Sequence, residues 1–494
     1  MKKFWTTVVI MLVLVLGVGL ADKTQAATLN INRIKNKKKV AATIRVNQKL
    51  KVKVKGKKVK KIKWKTSNKK IATISKKGIV KGKKPGKVTI TAKIKKKTYK
   101  CRIKVKKAKK LRKMSLLDIN GSMLNQGIYL TDNLYEKKNI LVSPLSLNMV
   151  IGMIANGTVG DISPKAGPGQ LAPAVYINPK WEVERYLGKS TEEYNYYALN
   201  RMNEIKQDNV LKMANSVWYQ ENCRIDDAFA KTVGKYYEAE VKKVPFDINA
   251  LNQINGWVNN NTDGMIKKIL DSVDKNAYAY ILNALLFQGK WTEEIKEHNI
   301  SGGKFTKFNG SKIKVKMMED NPEYYYENDY AVAFEKTYEK DGRYSFIGIL
   351  PKEKGEFQLQ ELNIKGLLRN PKQGNSVVKF PKFSYGWKKE IEKVLATTGL
   401  NKLFRSDYRP LRVMFPGEEM GAAFIESALQ ACRIEVDEKG TKAAAVTATV
   451  IKATSVMRPK GINIILNRPF AYLIRDNKTG DILFVGKVVN PTEK

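Results

Sequence analysis

The chain has 494 residues and a hydrophobic share of 43%, so it is long enough for two or three domains with sizeable cores. It contains one histidine and three widely separated cysteines, which argues against a His-dependent catalytic triad, a His metal cluster and a disulfide framework. The formal charge of +46 is uneven, because residues 27–114 contain 37 Lys and Arg and no acidic residue, whereas residues 115–494 contain 52 basic and 45 acidic residues.

The start of the chain has the three-part pattern of a signal peptide. Two lysines form the charged end, residues 8–20 form an apolar run, and cleavage is expected after Ala26. An uncleaved membrane anchor is the alternative, but the run is short for spanning a bilayer. Residues 1–26 are therefore predicted to be removed from a secreted, extracellular or surface-held protein that has no membrane span afterwards.

The three cysteines are Cys101, Cys223 and Cys432, and no two of them form a C-x-x-C pair. We predict that all three are free, mostly buried thiols. So few cysteines in an exported protein fit a bacterial source better than an animal one.

Residues 27–107 alternate lysines with apolar residues in short runs such as LKVKVKG and KVTITAKI. A period of two is typical of half-buried strands in an antiparallel sheet, and several short strands separated by turn signals indicate a β-sandwich. The stretch IKWKTSNKKIATISKKGIVKGKKPGKVTITA resembles the bacterial immunoglobulin-like repeat (group 2) of surface proteins. The matching residues are Trp64, Ser67, Ile71, Ala72, Ile74, Gly78, Val80, Gly86 and Ile90.

The dense lysines of this domain allow two interpretations. A solvated basic face would keep an exported protein soluble. Alternatively, residues 27–113 attach the protein to a polyanion, such as an anionic cell-wall polymer, a host glycan or nucleic acid. Aromatic residues are nearly absent, which argues against stacking on single-stranded bases. Residues 108–114 are predicted to be a basic linker to a second domain, residues 115–494.

The second domain lacks the residue patterns of an enzyme. The one histidine, His298, lies in a polar segment, where a surface side chain is the simplest interpretation. Two Ser-x-x-Lys matches, which begin at Ser272 and Ser301, are expected by chance in so lysine-rich a chain. No phosphate-binding or dinucleotide-binding glycine pattern is present. We therefore predict a protein that is not an enzyme and that needs no metal or cofactor.

The periodicity of this domain predicts helices first and strands later, which is typical of an α+β domain around large sheets. The predicted helices are residues 116–136, 145–156, 194–206, 228–238, 252–260 and 389–397. The predicted strands lie within residues 277–291, 345–351, 375–386 and 462–474.

The segment EKGTKAAAVTATVIKATS, residues 438–455, contains strand-forming residues but almost no bulky ones. Alternate side chains of a strand face opposite sides, and the face that starts at Thr441 carries no charge and little bulk. Lys442 and Lys452 both fall on the other face, so a shift by one residue would bury two charges. The segment is therefore either a permanent strand of a sheet or a strand that enters the sheet later.

Several segments, taken in chain order, resemble the serpin family. They are NILVSPLSLNMVIGMIANG, INGWVNNNTDGMIKKIL, LNALLFQGKW, FPKFSY, IEVDEKGTKAAAVT, ILNRPFAYLI and ILFVGKVVNP. Ala471 departs from the family, which usually has a larger apolar residue there. The resemblance implies an α+β serpin fold: a large central mixed sheet, further β-sheets, helices and an exposed reactive-centre loop, preceded by the all-β immunoglobulin-like sandwich.

The resemblance makes residues 438–455 the reactive-centre loop. It implies a monomeric suicide inhibitor: a serine protease attacks the loop, forms an acyl-enzyme, and is carried about 46 Å as residues 441–454 insert into the main sheet. The loop leaves inhibition of cysteine proteases open as well. The alternative is a non-inhibitory serpin-fold protein that acts as a polyanion-binding adhesin through its Lys-rich domain. The residues implied to form the hinge are Glu438, Gly440, Thr441, Ala443, Ala444, Ala445 and Thr447.

The cleaved bond is expected about sixteen residues beyond the first hinge residue, between Thr454 and Ser455. Counting back from the Arg-Pro-Phe motif points instead to Arg458, where the following proline makes a poor protease site. Val456 and Met457 lie between these positions and are alternatives. Small or medium apolar residues before the cut suit elastase-like or subtilisin-like serine proteases.

The resemblance also implies a polar group beneath the sheet where strands part, and an aromatic residue where the loop first enters. Gln430 stands where many serpins have a histidine, so the hydrogen bonds of that group are expected to differ. Residues 161–179 depart from the family pattern and are predicted to be an inserted surface loop. The residues implied for these two places are Ser143, Ser146, Asn283, Gln430 and Trp291.

Overall fold

A computed structural model describes most of the chain and divides it into two compact units. The smaller unit contains the strands between residues 27 and 106, and the larger unit contains Val8–Val13 and most of the residues after 113. The described residues are 8–13, 27–31, 40–45, 49–54, 62–94, 97–106, 114–160, 178–322, 324–417, 423–441 and 460–493.

The smaller unit is a β-sandwich, which confirms the predicted immunoglobulin-like fold. Its sheets have the orders β2-β4-β7-β6 and β3-β9-β8-β5. Inward-facing residues such as Val52, Ile90 and Ile103 form one shared core. The pairs β4-β7, β6-β7, β5-β8 and β8-β9 are antiparallel as predicted, whereas β2 pairs with β4 and β3 with β9 in parallel. The first strands, with β1 in the larger unit, are β1 (Val8–Val13), β2 (Ala27–Ile31), β3 (Val40–Arg45), β4 (Lys49–Val54), β5 (Lys63–Thr66), β6 (Ala72–Ile74), β7 (Ile79–Gly82), β8 (Gly86–Ile94) and β9 (Lys97–Lys106).

The helices α1 to α7 of the larger unit begin at residues whose side chains accept hydrogen bonds from the first turn. Ser143, for example, accepts from the backbone N–H of Ser146, and Pro144 takes the first helical position. The α-helices are α1 (Leu116–Ile119), α2 (Met123–Leu134), α3 (Pro144–Gly157), α4 (Pro179–Leu187), α5 (Thr191–Lys206), α6 (Asp227–Tyr237), α7 (Ile248–Asn261), α8 (Ile364–Leu367) and α9 (Glu392–Leu395).

Two helix predictions need correction. The helix predicted for residues 116–136 is interrupted, because Gly121 has a φ of +65° and Ser122 caps a new helix, α2. The helix predicted for residues 389–397 begins later, because Lys389 and Glu390 still belong to a strand. The apolar periodicity reveals neither change, since the break at Gly121 is a local turn of the backbone and the strand that includes Lys389 and Glu390 depends on a tertiary partner, β23.

The remaining strands of the larger unit, together with β1, form four sheets. The main sheet has the order β12-β11-β13-β1-β23-β22, and a second large sheet has the order β10-β27-β26-β19-β18-β17-β20. The two smaller sheets have the orders β15-β16-β21-β25 and β14-β24. They are β10 (Ile140–Val142), β11 (Leu211–Gln220), β12 (Glu240–Val244), β13 (Ala279–Phe287), β14 (Gly289–Lys290), β15 (Ile300–Thr306), β16 (Lys312–Asp320), β17 (Tyr324–Glu327), β18 (Ala331–Tyr338), β19 (Tyr344–Pro351), β20 (Lys372–Gln373), β21 (Asn375–Pro381), β22 (Phe383–Glu390), β23 (Leu429–Val436), β24 (Gly440–Thr441), β25 (Lys460–Ile465), β26 (Phe470–Asp476) and β27 (Ile482–Val488).

The main sheet is buried on both sides at its centre. Almost every residue of β13 is buried, as the continuous apolar sequence predicts. The apolar helix α3 contacts β13 and β27 and so lies between the two large sheets. The helix α7 contributes Ile254, Trp257 and Val258 to a separate core against β11 and β13. The main sheet is mixed, because β11 and β12 run parallel and the other pairs antiparallel. The predicted α+β fold is confirmed.

The three cysteines are buried and unpaired. Among the described residues, no helix is both long and apolar enough to cross a bilayer.

Candidate functional site

A strand lies between β13 and β23 in the main sheet, and it comes from the start of the chain. β1 runs antiparallel to both neighbours, with Val8 opposite Phe287 of β13 and Val9 opposite Arg433 of β23. The main sheet therefore accommodates an additional strand at this place, which we call the insertion position. β1 belongs to the predicted signal peptide, whose removal stays a prediction.

The hinge residues Gly440 and Thr441 form β24 at one end of the insertion position. They pair with Lys290 and Gly289, which follow β13 directly. The chain reverses after β23 in a tight turn, in which a side-chain oxygen of Asp437 accepts hydrogen bonds from the backbone N–H groups of Lys439 (2.8 Å) and Gly440 (3.2 Å). The hinge is thus already hydrogen-bonded to β14, a short strand just beyond the end of β13.

Gly440 is required at this turn for two reasons. Its φ is +141°, a conformation that residues with a Cβ rarely adopt. A Cβ atom at this residue would also lie 2.3 Å from the carbonyl oxygen of Gly289, which is backbone and cannot rotate away. Only glycine therefore lets the hinge approach β14 closely enough to pair with it.

Two stacked aromatic residues, Trp291 and Tyr338, contact the hinge. The rings of Trp291 and Tyr338 are 4.3 Å apart at an interplanar angle of 17°. The indole Nε1 of Trp291 donates to the carbonyl oxygen of Asp437 over 2.8 Å. The hydroxyls of Tyr338 and Thr441 are 2.8 Å apart, and Thr441 is fully buried. The turn after β23 is thus fixed by hydrogen bonds from Trp291 to Asp437 and between Tyr338 and Thr441.

The two carboxylates of the turn differ in their electrostatics. Burial raises the pKa of Asp437, and its hydrogen bonds to the turn only partly offset this. Burial also raises the pKa of Glu438, but the ion pair with Lys382 outweighs it, so the net pKa lies below its ordinary value. The backbone carbonyl of Glu438 accepts from Ile295 over 2.9 Å. Glu438 is therefore the charged anchor of the hinge.

Beneath the middle of the insertion position, Gln430 of β23 is tied to the start of α3. Its amide oxygen accepts from the backbone N–H of Ser143 (3.2 Å), and its amide nitrogen donates to the carbonyl of Ser143 (3.0 Å). Both residues are fully buried. This double hydrogen bond fixes β23 on the helix with uncharged groups alone.

Asn283 of β13 belongs to a second, separate network. Its side-chain nitrogen donates to Asn215 of β11 over 2.8 Å, and Asn215 donates to the carbonyl of Tyr237 over 2.7 Å. The side-chain oxygen of Asn283 and the hydroxyl of Ser146 are buried and have no hydrogen-bond partner among the described residues. The two strands that flank the insertion position, β13 and β23, are therefore anchored by separate networks, and one polar atom on β13 and one on α3 have no partner among the described residues.

The structure brings the sequence-predicted residues together in two places. Gly440, Thr441 and Trp291 meet at the end of the insertion position, and Ser143, Ser146, Asn283 and Gln430 surround its middle. The remaining hinge residues and the reactive-bond candidates lie outside the described residues. These are Ala443, Ala444, Ala445, Thr447, Thr454, Ser455, Val456, Met457 and Arg458.

Sequence reasoning missed Tyr338, Lys382 and Asn215. A signal existed only for Asn215, because Asn215 and Ser216 are polar residues inside the otherwise apolar strand MANSVWY. Tyr338 and Lys382 reach the hinge through the tertiary fold, since they lie 103 and 56 residues away from their partners.

No catalytic arrangement competes with this site in the part of the chain that the structure describes. His298 lies on an exposed turn. Groups of three or more metal-ligating side chains are not found among the described residues. The described residues do contain a main sheet with a hinge docked at the end of a strand position.

Comparison with known proteins identifies the families of the two domains. The family model described as serpin (serine protease inhibitor) matches residues 125–491, and that of the bacterial Ig-like domain (group 2) matches residues 31–105. The chain belongs to the serpin family, whose members are in general protease inhibitors, and it carries a bacterial Ig-like domain before the serpin domain.

Individual relatives agree with this assignment. Human neuroserpin is 28% identical over 381 residues, which cover 72% of this chain and 87% of neuroserpin. An uncharacterised serpin-like protein of Thermococcus kodakarensis is 29% identical over 369 residues, covering 72% of this chain and 82% of the relative. Among solved structures, the thermophilic serpin tengpin in its native state matches with a TM-score of 0.64 and 29% identity, covering 77% of this chain and 95% of tengpin.

Proposed function

We propose that the protein is a secreted or surface-associated bacterial serpin that traps elastase-like or subtilisin-like serine proteases. The observation that carries the proposal is the docking of Gly440 and Thr441 on β14, at the end of a position where the main sheet accepts another strand. An intact, already paired hinge is what an inserting loop needs and what a passive scaffold does not.

The registers of β24 and β1 support insertion along one line. Thr441 lies opposite Gly289, so a continued strand would place Ala443 opposite Phe287. In the structure, Val8 of β1 occupies the position opposite Phe287. The loop and β1 would therefore occupy the same strand position in the same register, and only one of them can be there at a time.

The same register gives Thr447 a specific place. It would stand where Leu12 stands, opposite Gln430 on one side and next to Asn283 on the other. Thr441 and Thr447 share a strand face, and Thr441 faces the interior. The hydroxyl of Thr447 can then donate to the unused oxygen of Asn283, so insertion would supply the hydrogen bond that this buried group lacks.

Trapping uses the energy of this insertion against the protease. The catalytic serine attacks the carbonyl carbon of Thr454, the bond to the nitrogen of Ser455 breaks, and the new amine leaves with a proton while an ester links Thr454 to the protease. Loop residue 451 would face Ala279, the first residue of β13, so Thr454 lies three residues beyond the strand. A cut after Lys452 would bring the protease less far and weaken the trap.

A second function is favoured by the charge of the smaller unit. Residues 27–113 would hold the protein on an anionic cell-wall polymer or host glycan, which concentrates an inhibitor where proteases act. If the loop never traps a protease, the same attachment would make the protein an adhesin with a serpin fold. The inhibitor itself needs no cofactor and works as a monomer in a covalent complex with its target.

The test is incubation with elastase-like, subtilisin-like, trypsin-like and papain-like proteases, followed by a denaturing gel and mass spectrometry of the released C-terminal peptide. We expect a complex that survives denaturation and a peptide that starts at Ser455. A peptide that starts at residues 457–459 would move the reactive bond to one of the alternatives but keep the mechanism. Cleavage without any complex would remove the inhibitor proposal and leave the adhesin.

A further inference from the structure

One face of the smaller unit is an array of cations. The strands β5, β8 and β9 alternate inward-facing apolar residues with outward-facing basic ones, so that Cys101, Ile103 and Val105 are buried while their neighbours point outward. We call the outward side of this sheet the basic face. Its cations are Lys63, Lys65, Lys87, Lys93, Lys100, Arg102, Lys104 and Lys106.

The basic face places like charges directly opposite each other. Lys87 pairs with Lys104, and Lys63 pairs with Lys93. Such pairs destabilise a sheet, and residues 27–114 themselves contain no Asp or Glu. A face that serves only solubility would normally mix both signs of charge. The arrangement therefore favours a partner that supplies many negative charges at once.

The spacing and the neighbours of these cations define the chemistry of that partner. Along β9, alternate residues are about 6.7 Å apart, and neighbouring strands are about 4.8 Å apart. Between the cations lie the half-buried side chains of Thr89 and Thr91, which offer hydroxyl groups. Trp64 and Tyr99 pack into the core on the other side of the sheet, so their rings cannot stack on bases from the basic face.

We propose that the basic face binds a linear anionic polymer with a polyhydroxylated backbone, in which phosphate or carboxylate groups recur along sugars or polyols. The cations would neutralise the regular charges, and the threonine hydroxyls would bond to backbone hydroxyls or phosphate oxygens. The inference deepens the proposed attachment to an anionic surface, because it assigns the binding to one sheet face. It rests on the proposed export of the protein only for the choice of an envelope polymer over nucleic acid.

The decisive comparison uses two variants of the whole chain with equal net charge. The first, K87Q/K100Q/K104Q, removes three cations from the basic face. The matched control, K69Q/K76Q/K83Q, removes three exposed lysines from turns outside this face. The probes are poly(glycerol phosphate), polygalacturonate and double-stranded DNA, and the dissociation constant is measured between 0.05 and about 0.3 M salt.

We expect the natural chain to bind at least one of the two polyhydroxylated polymers more tightly than DNA. The face variant should bind at least tenfold more weakly, with a salt slope smaller by about 2 to 3, since each neutralised phosphate contributes about 0.7 to 0.9. The turn control should stay within threefold. A third variant, K87R/K100R/K104R, keeps the charges and should also stay within threefold, which separates lost binding from lost folding.

Three results would overturn the inference. They are an equal loss in the face variant and the turn control, tighter binding to DNA than to both polymers, and no binding of the natural chain at 0.15 M salt, a concentration near the physiological one. The denaturing-gel assay for protease complexes, run on the same proteins, reports on the inhibitor separately. Failure of the polymer inference is therefore distinguishable from failure of the trapping mechanism.

Discussion

The end and the middle of the insertion position are built in opposite ways. At the end, Trp291, Tyr338 and Thr441 are joined by stacking and a hydrogen bond, so Thr441 is held at this place. In the middle, the oxygen of Asn283 and the hydroxyl of Ser146 are buried without partners among the described residues. If the loop inserts as proposed, the end would guide it, and the middle would offer polar groups that the arriving strand can satisfy.

This difference separates the start of insertion from its completion. An unsatisfied buried polar group costs about 1–3 kcal/mol, and a strand that brings a donor recovers part of this. Changes at the end should therefore decide whether the loop enters, and changes in the middle should decide how stable the inserted form is.

The largest effect is expected from Thr441→Arg at the end. Thr441 is fully buried, so arginine would have to bring an unpaired cation beneath the sheet, at a cost of several kcal/mol. The loop should still be cleaved at the same bond, but no protease complex should survive a denaturing gel. Lys442→Arg, on the other strand face, is the control and should trap like the natural chain. Trapping by both variants would show that the end does not control insertion.

Gly440→Ala should have the next largest effect. The added Cβ would meet the carbonyl oxygen of Gly289 at 2.3 Å, and the positive φ adds strain of about 1–3 kcal/mol. We expect more molecules to be consumed per trapped protease, measured by titrating a fixed amount of protease. The control is Gly256→Ala on α7, where a Cβ would meet nothing within 4 Å. An unchanged titration for Gly440→Ala would mean that β24 need not pair with β14.

A smaller effect, in the middle, is expected from Thr447→Val. Without its hydroxyl, the inserted loop would leave the oxygen of Asn283 without a donor, and the loop-cleaved form should lose about 1–3 kcal/mol of unfolding free energy. Guanidinium unfolding of the cleaved protein measures this. Thr449→Val is the matched control, because residue 449 would face the apolar Ile281. Equal losses for the two variants would contradict the register.

The smallest effect concerns the ion pair at the end. The pKa of Glu438 is lowered in the folded protein, so its stabilisation is present above its ordinary pKa and is lost as the pH falls through the lowered value. Because the pair is partly exposed, solvent screening limits Glu438→Gln to a loss of at most about 1 kcal/mol near pH 7, and this loss should disappear as the pH falls through the lowered pKa of Glu438. Urea unfolding across an acidic pH series measures it, with the exposed Glu297→Gln as control. A pH-independent difference would exclude the ion pair as its cause.

The sequence predicted the strands of this site better than its turns and long-range contacts. The apolar strand 279–287 and the charge-free face that starts at Thr441 are visible as periodic patterns, and both fix which side of a strand is buried. The break at Gly121 and the pairing of Tyr338 with Thr441 are not, because they depend on a positive φ and on contacts between distant segments. The hinge follows from local chemistry, whereas its partners follow from the tertiary fold.

The bond between Gln430 and Ser143 also bears on the surroundings in which the molecule can work. A carboxamide neither gains nor loses a proton in mildly acidic or mildly alkaline media, whereas an imidazole at that place would acquire a charge in acid. The two hydrogen bonds that join β23 to α3 should therefore be equally strong at mildly acidic and at neutral pH. We expect this part of the fold to tolerate acidification without any change in its bonding.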